Sequence, residues 1–222
     1  MKTYKIITST EELLYLSHFT GVVTHGYYVL TSVHLAPDFS AVATDGHVLC
    51  RTERAWTYDL PAMKEPTEDE KIPAEGFTIF MDAMTIKQLK LLNCPGSVRI
   101  EIDLNDDDNI SPYEHSEVRI TDDRGLTAKT HLVEPGLYPD WHKVYDGALA
   151  LFKEPSTCGI LALNPDLLSK FTGWSKLAKQ KTKDYVQISC RDQVSPVLIK
   201  VSSNSRVTGL LMPVQNVIFG EE

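Results

Sequence analysis

The stretch Ala41-Val-Ala-Thr-Asp-Gly-His-Val-Leu-Cys-Arg51 places an Asp-Gly pair between two runs of mainly apolar residues. Asp-Gly in this setting is a strong hairpin signal, because a tight reversed turn needs positive φ and glycine adopts it without a steric penalty. We therefore predict a β-hairpin that turns at Asp45 and Gly46. Thr44, Asp45 and His47 bring a hydroxyl, a carboxylate and an imidazole to the turn. It is a catalytic corner, a recognition corner, or a turn whose histidine makes only a structural hydrogen bond.

The composition is that of an ordinary globular protein with an acidic balance. The 222 residues are 42% apolar and 23% charged, and the formal net charge is −8. Any contact with DNA therefore has to come from a local basic face. The four cysteines lie far apart without a Cys-x-x-Cys pair, which argues against a zinc site and a disulfide framework. No apolar leader and no window of membrane-spanning length is visible, so we expect a cytoplasmic protein.

The chain repeats one pattern, a strand, a helix and further strands, three times in units of roughly 60 residues. In the first unit, residues 4–8 form a strand, and Ser9 with Glu12 makes a capping box for a short helix. Residues 26–33 and the Asp45-Gly46 hairpin supply the remaining strands. Residues 56–76 are rich in Pro and Glu and are predicted to be an exposed connector.

The second and third units follow the same order. In the second, residues 77–81 are a strand, Asp82 caps a helix, and residues 97–104, 117–121 and 126–133 are strands. In the third, residues 158–163 are a strand, Asn164-Pro-Asp starts a helix, and residues 185–190, 197–201 and 207–214 are strands. Two such units commonly make one domain. We predict an α+β fold with the helices on one face of antiparallel sheets.

Four ordered segments carry a resemblance to a known family. They are Tyr27-Tyr-Val29, Ala43-Thr-Asp-Gly-His-Val-Leu49, Tyr138-Pro-Asp-Trp-His-Lys-Val144 and Leu211-Met-Pro-Val214. In this order and spacing they resemble the bacterial-type sliding clamp, the β subunit of DNA polymerase III. Thr-Asp-Gly-His-x-Leu is fairly specific, whereas the other segments gain their weight from the ordered set.

The resemblance implies a DNA-clamp-like fold and a non-enzymatic function. Clamps of this family encircle duplex DNA with their helices inward, and polymerases and clamp loaders insert a short peptide between the middle and last domains. Carried over by position, that peptide pocket would be formed by Val29, Thr44, Gly46, His47, Leu49, Pro139, Lys143, Val144, Leu210, Met212, Pro213 and Val214.

The chain also departs from the family pattern. Val48 stands where the family has an arginine after the histidine, and Gln215 replaces a C-terminal arginine, so the pocket rim is less basic. Residues 1–146 resemble a complete middle domain, with its connector at 56–76, whereas residues 147–222 resemble only half of the last domain. The third unit therefore lacks its usual partner unit. Four copies of three units would reach the twelve units of a clamp ring, but the unpaired unit could also complete a partner chain.

Lysines on the second and third helices are the candidate DNA contacts. If the third helix is continuous, Lys176, Lys179 and Lys183 share the face opposite its apolar stripe, and Lys87 and Lys90 form a weaker set on the second helix. Such a face would contact phosphates without base specificity, although a solvated helix face has the same pattern. The acidic run at residues 103–108 lacks the spacing of an EF-hand loop, and we expect no metal or cofactor.

The leading hypothesis is a sliding-clamp-like processivity factor. It would be a homo-oligomer that tethers a DNA polymerase or another DNA enzyme to double-stranded DNA. The alternative is a clamp-derived regulatory or interaction protein that binds a replication partner without forming a ring. A hydrolase using Asp45 and His47 is a third option, for which the sequence offers no nucleophile or metal ligands at suitable spacing.

Overall fold

The structure is a computed structural model that describes residues 2–21, 28–61, 64–105, 111, 113–134, 138–153, 155–157, 161–181 and 185–214. The helices are α1 (Thr10–Ser17), α2 (Ala83–Leu89), α3 (Trp141–Leu151), α4 (Pro165–Ser169) and α5 (Trp174–Leu177). The strands are β1 (Lys2–Ser9), β2 (Ser32–Leu35), β3 (Ala41–Thr44), β4 (Val48–Thr52), β5 (Trp56–Tyr58), β6 (Phe77–Phe80), β7 (Ser97–Leu104), β8 (Glu117–Asp122), β9 (Thr127–Thr130), β10 (Leu132–Val133), β11 (Val186–Ser189), β12 (Val197–Val201) and β13 (Asn204–Leu211). The α+β class is confirmed.

The described strands form two antiparallel sheets, and the first two units exchange strands between them. One sheet has the order β5-β1-β7-β8-β9, and the other has the order β10-β6-β2-β3-β4-β13-β12-β11. The first strand of unit one, β1, pairs with β7 of unit two, and the first strand of unit two, β6, pairs with β2 of unit one. Because of this reciprocal exchange, the first two units share both sheets.

The third unit joins the first unit through β13. Residues 207–211 of β13 pair with residues 48–52 of β4, so β11, β12 and β13 continue the sheet of the first unit. The first unit therefore lies between the second and the third in space. The predicted domain boundary at residue 146 falls within α3, and the division into domains remains a prediction.

Alternating side chains on the large sheet serve two different apolar clusters, because successive residues of a strand point to opposite faces. On β4, Val48 and Cys50 belong to the main core with α1, α2 and the third-unit helices, whereas Leu49 belongs to a smaller cluster on the other face. The same alternation on β12 and β13 carries both clusters across the β4–β13 junction. The junction is thus packed from both sides.

Helix α3 covers the second face and was not expected from the sequence. Trp141, Tyr145 and Ala148 are its buried residues, and they pack on Leu49, Leu198 and Leu210 in the smaller cluster. The buried positions follow i, i+4 and i+7, the spacing of one helix face. The predicted helices of the three units lie on one face, as expected, and α3 is an additional helix on the other face of the large sheet.

The N-terminal half of the first unit confirms its predicted helix start but changes two details. Ser9 caps α1 by accepting a hydrogen bond from Glu12 N, at 3.2 Å. The Glu12 carboxylate does not return to the cap, because it accepts from Arg206 of β13, at 3.2 Å. Residues 28–31 form a 3-10 turn instead of a strand, and the strand begins at Ser32.

Other predicted boundaries also shift. Residues 56–58, predicted as connector, form β5 because the edge of β1 accepts them as a further strand, while Asp82 caps α2 as expected. The predicted strand at 126–133 is divided at His131, because β9 and β10 belong to different sheets. Of the predicted strand at 158–163, residues 158–160 lie outside the described residues, and residues 161–163 are not a strand.

The third helix is not continuous, which overturns the predicted lysine row. Its helical residues fall into α4, a 3-10 turn at Lys170–Thr172 and α5, with Gly173 between the last two. Lys179 follows the end of α5 with a φ of 50°, so it leaves the helix axis. Lys183 lies outside the described residues. The apolar stripe survives because Phe171 and Trp174 remain buried against α1 and the turn that follows it, with Trp174 against Tyr15 and Phe171 against Phe19.

Candidate functional site

The predicted hairpin turns where expected and is held by its own side chains. Gly46 has a φ of 91°, the positive value that the Asp-Gly pair requires. Asp45 Oδ1 accepts hydrogen bonds from the backbone amides of His47 and Val48, both at 2.9 Å. Thr44 Oγ1 donates to the Val48 carbonyl at 2.8 Å and accepts from Gly46 N at 3.1 Å. The hydroxyl and the carboxylate therefore build the turn.

The second oxygen of Asp45 forms an ion pair with the third unit. Lys170 Nζ lies 2.7 Å from Asp45 Oδ2, and the side chains are only 22% and 13% exposed. The imidazole of His47 is exposed and has no hydrogen bond among the described residues. Asp45 thus orients neither the imidazole nor a nucleophile, and the geometry offers no support for a catalytic pair.

An apolar cleft of about 180 Å³ opens beside this turn on the α3 side of the large sheet. The turn supplies one wall, the end of β13 supplies the floor, and the first turn of α3 supplies the opposite wall. Met212 N donates to the His47 carbonyl at 3.0 Å, which fixes the end of β13 against the turn. Val144 and Met212 are 49% and 38% exposed, so apolar surface remains open to a ligand.

The cleft brings together eight of the twelve predicted pocket residues. They are Thr44, Gly46, His47, Leu49, Pro139, Val144, Leu210 and Met212. Val48, Trp141 and Pro196 also line the cleft, although the resemblance of the motifs did not predict them as pocket residues. Trp141 could have been found from its helical spacing to Tyr145 and Ala148, whereas Pro196 has no local signal because it reaches the cleft only through the β12–β13 pairing.

Three of the other four predicted pocket residues lie outside the cleft lining. Lys143 is exposed on α3, Pro213 is buried and Val214 is 43% exposed beyond the end of β13. Val29 lies in the 3-10 turn at Tyr28–Thr31, but its side chain is outside the described residues.

Polar contacts hold the chain that leads into α3. The Tyr138 hydroxyl donates to the Val42 carbonyl at 3.1 Å, and its ring stacks on His34 with centroids 5.0 Å apart. Burial lowers the pKa of His34 to about 4, so this imidazole is neutral at physiological pH. The guanidinium of Arg51 lies over the Trp141 and Tyr145 rings, at 5.7 and 5.2 Å from their centroids. The α3 wall of the cleft is therefore firmly positioned.

The candidate DNA contacts lie on the opposite side of the large sheet. Lys87 and Lys90 are exposed at the end of α2, and Lys176 is exposed on α5. Helices α2 and α5 both pack against α1, so these lysines lie on either side of it. Lys170, in the 3-10 turn before α5, is engaged by Asp45. The lysines share a side of the molecule, but they do not form the row that one long helix would give.

A buried carboxylate with a raised pKa lies away from the cleft. Glu12 on α1 is 2% exposed; burial raises its pKa to about 7, and Arg206 opposes this rise. Within the described ranges, no group of three or more His, Cys, Asp or Glu residues is arranged to hold a metal ion. Asp103 pairs with Arg119 at 2.8 Å, while Asp106–Asp108 are outside the described residues. No described helix has both the length and the apolar character of a membrane span.

Comparison with solved structures identifies the fold. The β sliding clamp of Caulobacter crescentus is 19% identical, with a TM-score of 0.51, and the match covers 95% of this chain and 65% of that one. The sliding clamp of Bartonella birtlesii, solved with griselimycin bound, is 20% identical, with a TM-score of 0.55 and coverages of 95% and 66%. The sliding clamp of Pseudomonas aeruginosa is 15% identical, with a TM-score of 0.52, and the match covers 95% of this chain and 66% of that one.

No protein-family model and no curated protein sequence matches the chain. The likeness is therefore one of fold, and the chain spans about two thirds of the length of the clamps it matches. The chain has the fold of the bacterial sliding clamps, the β subunits of DNA polymerase III, in a shortened form.

Proposed function

We propose that the chain is a sliding-clamp-like processivity factor, which tethers a DNA polymerase or another DNA enzyme to double-stranded DNA by holding a short peptide of that enzyme in the cleft. The observation that carries the proposal is the convergence of the turn, the end of β13 and the start of α3 on one apolar cleft. Peptides of a polymerase and of a clamp loader are the expected ligands.

The cleft suits an apolar peptide side chain for three reasons. Leu49 and Leu210 are neighbours across the β4–β13 pair and present a fixed apolar floor. Met212 is partly exposed and adaptable, so it can follow the shape of a ligand. Gly46 has no side chain, which allows a peptide backbone to approach the turn. Burial of apolar surface here contributes about 25 cal/mol per Å².

The lysines on the α1 side provide a contact with DNA that does not depend on sequence. Lys87, Lys90, Lys176 and Lys179 are exposed there, whereas the net charge of the whole chain is −8. Phosphate contacts by separated lysines give weak, salt-dependent binding. This weak binding suits a protein that remains mobile on its template. Lys183 is included in this proposal on the basis of the sequence pattern alone.

The proposed role requires no catalysis. Tethering raises the effective concentration of an enzyme at its template and adds no chemical step. Asp45 is already engaged by two amides and Lys170, which is consistent with a binding protein. We place the protein in the cytoplasm as a homo-oligomer, in keeping with this role.

Binding of a peptide from a polymerase tail tests the proposal directly. His47→Ala combined with Met212→Ala removes two side chains of the cleft, and we expect a loss of affinity of about tenfold or more in fluorescence anisotropy. Leu126→Ala is the matched control, because Leu126 is 47% exposed in the turn between β8 and β9, away from the cleft. Unchanged affinity of the double variant would refute the cleft assignment.

A non-ring regulatory protein is the second candidate, and the unpaired third unit favours it. Such a protein would bind the same replication partner through the same cleft but would encircle nothing. Retention on circular DNA with release after linearisation supports a ring, whereas peptide binding without topological retention supports the regulator.

A separate variant tests the contact with DNA. Changing Lys87, Lys90, Lys176 and Lys179 to Glu together should lower DNA affinity and flatten its salt dependence.

A further inference from the structure

The first two units show how one unit of this chain is completed. Each gives its first strand to the sheet of the other, so that β1 lies beside β7 and β6 lies beside β2. The donated strand completes the burial of the apolar residues on the strand beside it. Ile100 of β7 has Ile6 of β1 on one side and Ile120 of β8 on the other, and all three are 0% exposed.

The third unit has an edge strand that corresponds to these covered strands. Its strand β11 corresponds to β2 and β7, since it follows the helix and pairs with the next strand. Ile188 of β11 lies opposite Ile199 of β12, on the same face of the sheet. Ile199 is 0% exposed, whereas Ile188 is 40% exposed. Among the described residues, no strand lies along the other side of β11.

The third unit also holds a candidate strand to donate. In the first two units, the donated strand pairs on its other side with a short segment that follows the last strand of a unit, as in β1–β5 and β6–β10. The third unit repeats this contact, because Val214 N donates to the Ala162 carbonyl at 2.9 Å just after β13. Leu161 and Leu163, on either side of Ala162, are half-buried. Thr157 N donates to the Arg191 carbonyl beyond the end of β11, so this contact does not lie along Val186–Ser189.

The helical part of the third unit is less deeply buried than α1. Every residue of α1 except Glu11 is buried, because α1 is packed between its neighbours. In contrast, α4 has no buried residue, and its apolar Leu167 and Leu168 are only half-buried. The partly exposed surface of the third unit thus includes a sheet edge and a helix without a buried residue, and a sheet edge and a helix are the two features that the first and second units use against each other.

We propose that a second copy of this chain covers this surface, by forming a symmetric dimer between third units. Residues 161–163 of one copy extend the sheet of the other beside its β11, and the second copy does the same in return. The exchange between the first two units is reciprocal, and two identical units can make a reciprocal exchange about a two-fold axis. The pairing does not involve the cleft, so it does not depend on peptide binding.

Solution mass and hydrogen exchange of the whole chain test this dimer. We expect light scattering after gel filtration to give an even multiple of the 24.9 kDa chain mass. Ile188→Asp should reduce that mass at least twofold, because it places a charge on the apolar edge. Met84→Asp is the matched control and should leave the mass unchanged, since Met84 is 60% exposed on α2. Circular dichroism verifies that each variant is folded.

Hydrogen exchange on the unaltered chain keeps the test independent of the variants. The amides of Val186–Ser189 should become protected as the protein concentration rises, with the amides of residues 161–163 following them. A monomer at the highest soluble concentration overturns the proposal, and so does protection confined to β9, the free edge of the smaller sheet. Loss of peptide binding with the dimer intact would count against the proposed function alone.

Discussion

The Lys170 ammonium lies 2.7 Å from the Asp45 carboxylate, although 125 positions separate the two residues in the chain. Asp45 also holds two amides of the β3–β4 turn through its other oxygen. One carboxylate thus shapes the turn at the cleft and joins it to the third unit.

We expect removal of this ion pair to loosen the attachment of the third unit. Lys170→Met and Asp45→Asn should each lower the free energy of unfolding, and a double-mutant cycle should give a coupling energy of about 1 kcal/mol. Both side chains are largely shielded from solvent, which is why the pair should exceed a surface ion pair. The Lys71–Glu68 pair, 48% and 89% exposed, is the control and should couple by less than about 0.5 kcal/mol. A coupling energy below about 0.5 kcal/mol between Lys170 and Asp45 would contradict this expectation.

Gly209 on β13 allows the Phe171 ring to lie against the sheet. A Cβ at this position would fall 2.0 Å from Phe171 Cε1. Gly209→Ala should therefore lower the free energy of unfolding by about 2 kcal/mol or more, measured by chemical denaturation. Gly147→Ala is the opposite case, because the new methyl group has no atom within 4 Å and the site is inside α3. It should be neutral or stabilise the protein by up to about 1 kcal/mol.

Glu12 should make stability depend on pH. Its pKa is raised from its ordinary value of 4.5 to about 7 by burial, against the opposing charge of Arg206. The folded state therefore binds the proton more tightly than the unfolded state, and the contribution of Glu12 to stability falls as pH rises from about 4.5 to about 7. The whole change amounts to about 3 kcal/mol at most. Glu12→Gln should remove this loss, so the variant should gain stability relative to the unaltered protein as pH rises.

His34 works in the opposite direction and has to be separated from Glu12. Because burial lowers its pKa to about 4, its contribution to stability is lost as pH falls below its ordinary value of 6.5. The difference between the unaltered protein and Glu12→Gln isolates the carboxylate, since His34 is present in both. A constant difference for Glu12→Gln would contradict the assigned pKa.

Trp141 provides an optical test of cleft occupancy. It lines the cleft, whereas Trp56 and Trp174 are buried in the main core. A peptide in the cleft should change the tryptophan fluorescence, and Trp141→Phe should abolish most of that change while peptide binding persists. Trp56→Phe is the control and should retain the signal. A signal that survives Trp141→Phe would place the peptide elsewhere.

Local signals in the sequence were sufficient for the turn, the caps of α1 and α2 and the apolar stripe at Phe171 and Trp174. The motifs also selected most of the cleft, because their residues come from strand ends whose order the fold preserves. The broken third helix was missed because helical spacing describes which residues face the core, and a 3-10 turn can keep Phe171 and Trp174 buried. The role of Glu12 was missed for another reason: its partner, Arg206, is 194 positions away, and no local pattern reports it.

Helix α3 rests on β3 and β4 of the first unit and on β12 and β13 of the third. Its first turn also carries Trp141 and Val144, which face the cleft. Docking of the third unit and occupancy of the cleft are therefore linked equilibria, since a chain whose third unit has detached offers only part of the site. By mass action, a bound peptide must strengthen that docking by the same factor by which docking strengthens peptide affinity. An enzyme whose peptide occupies the cleft would therefore stabilise the docking of the third unit that completes the cleft.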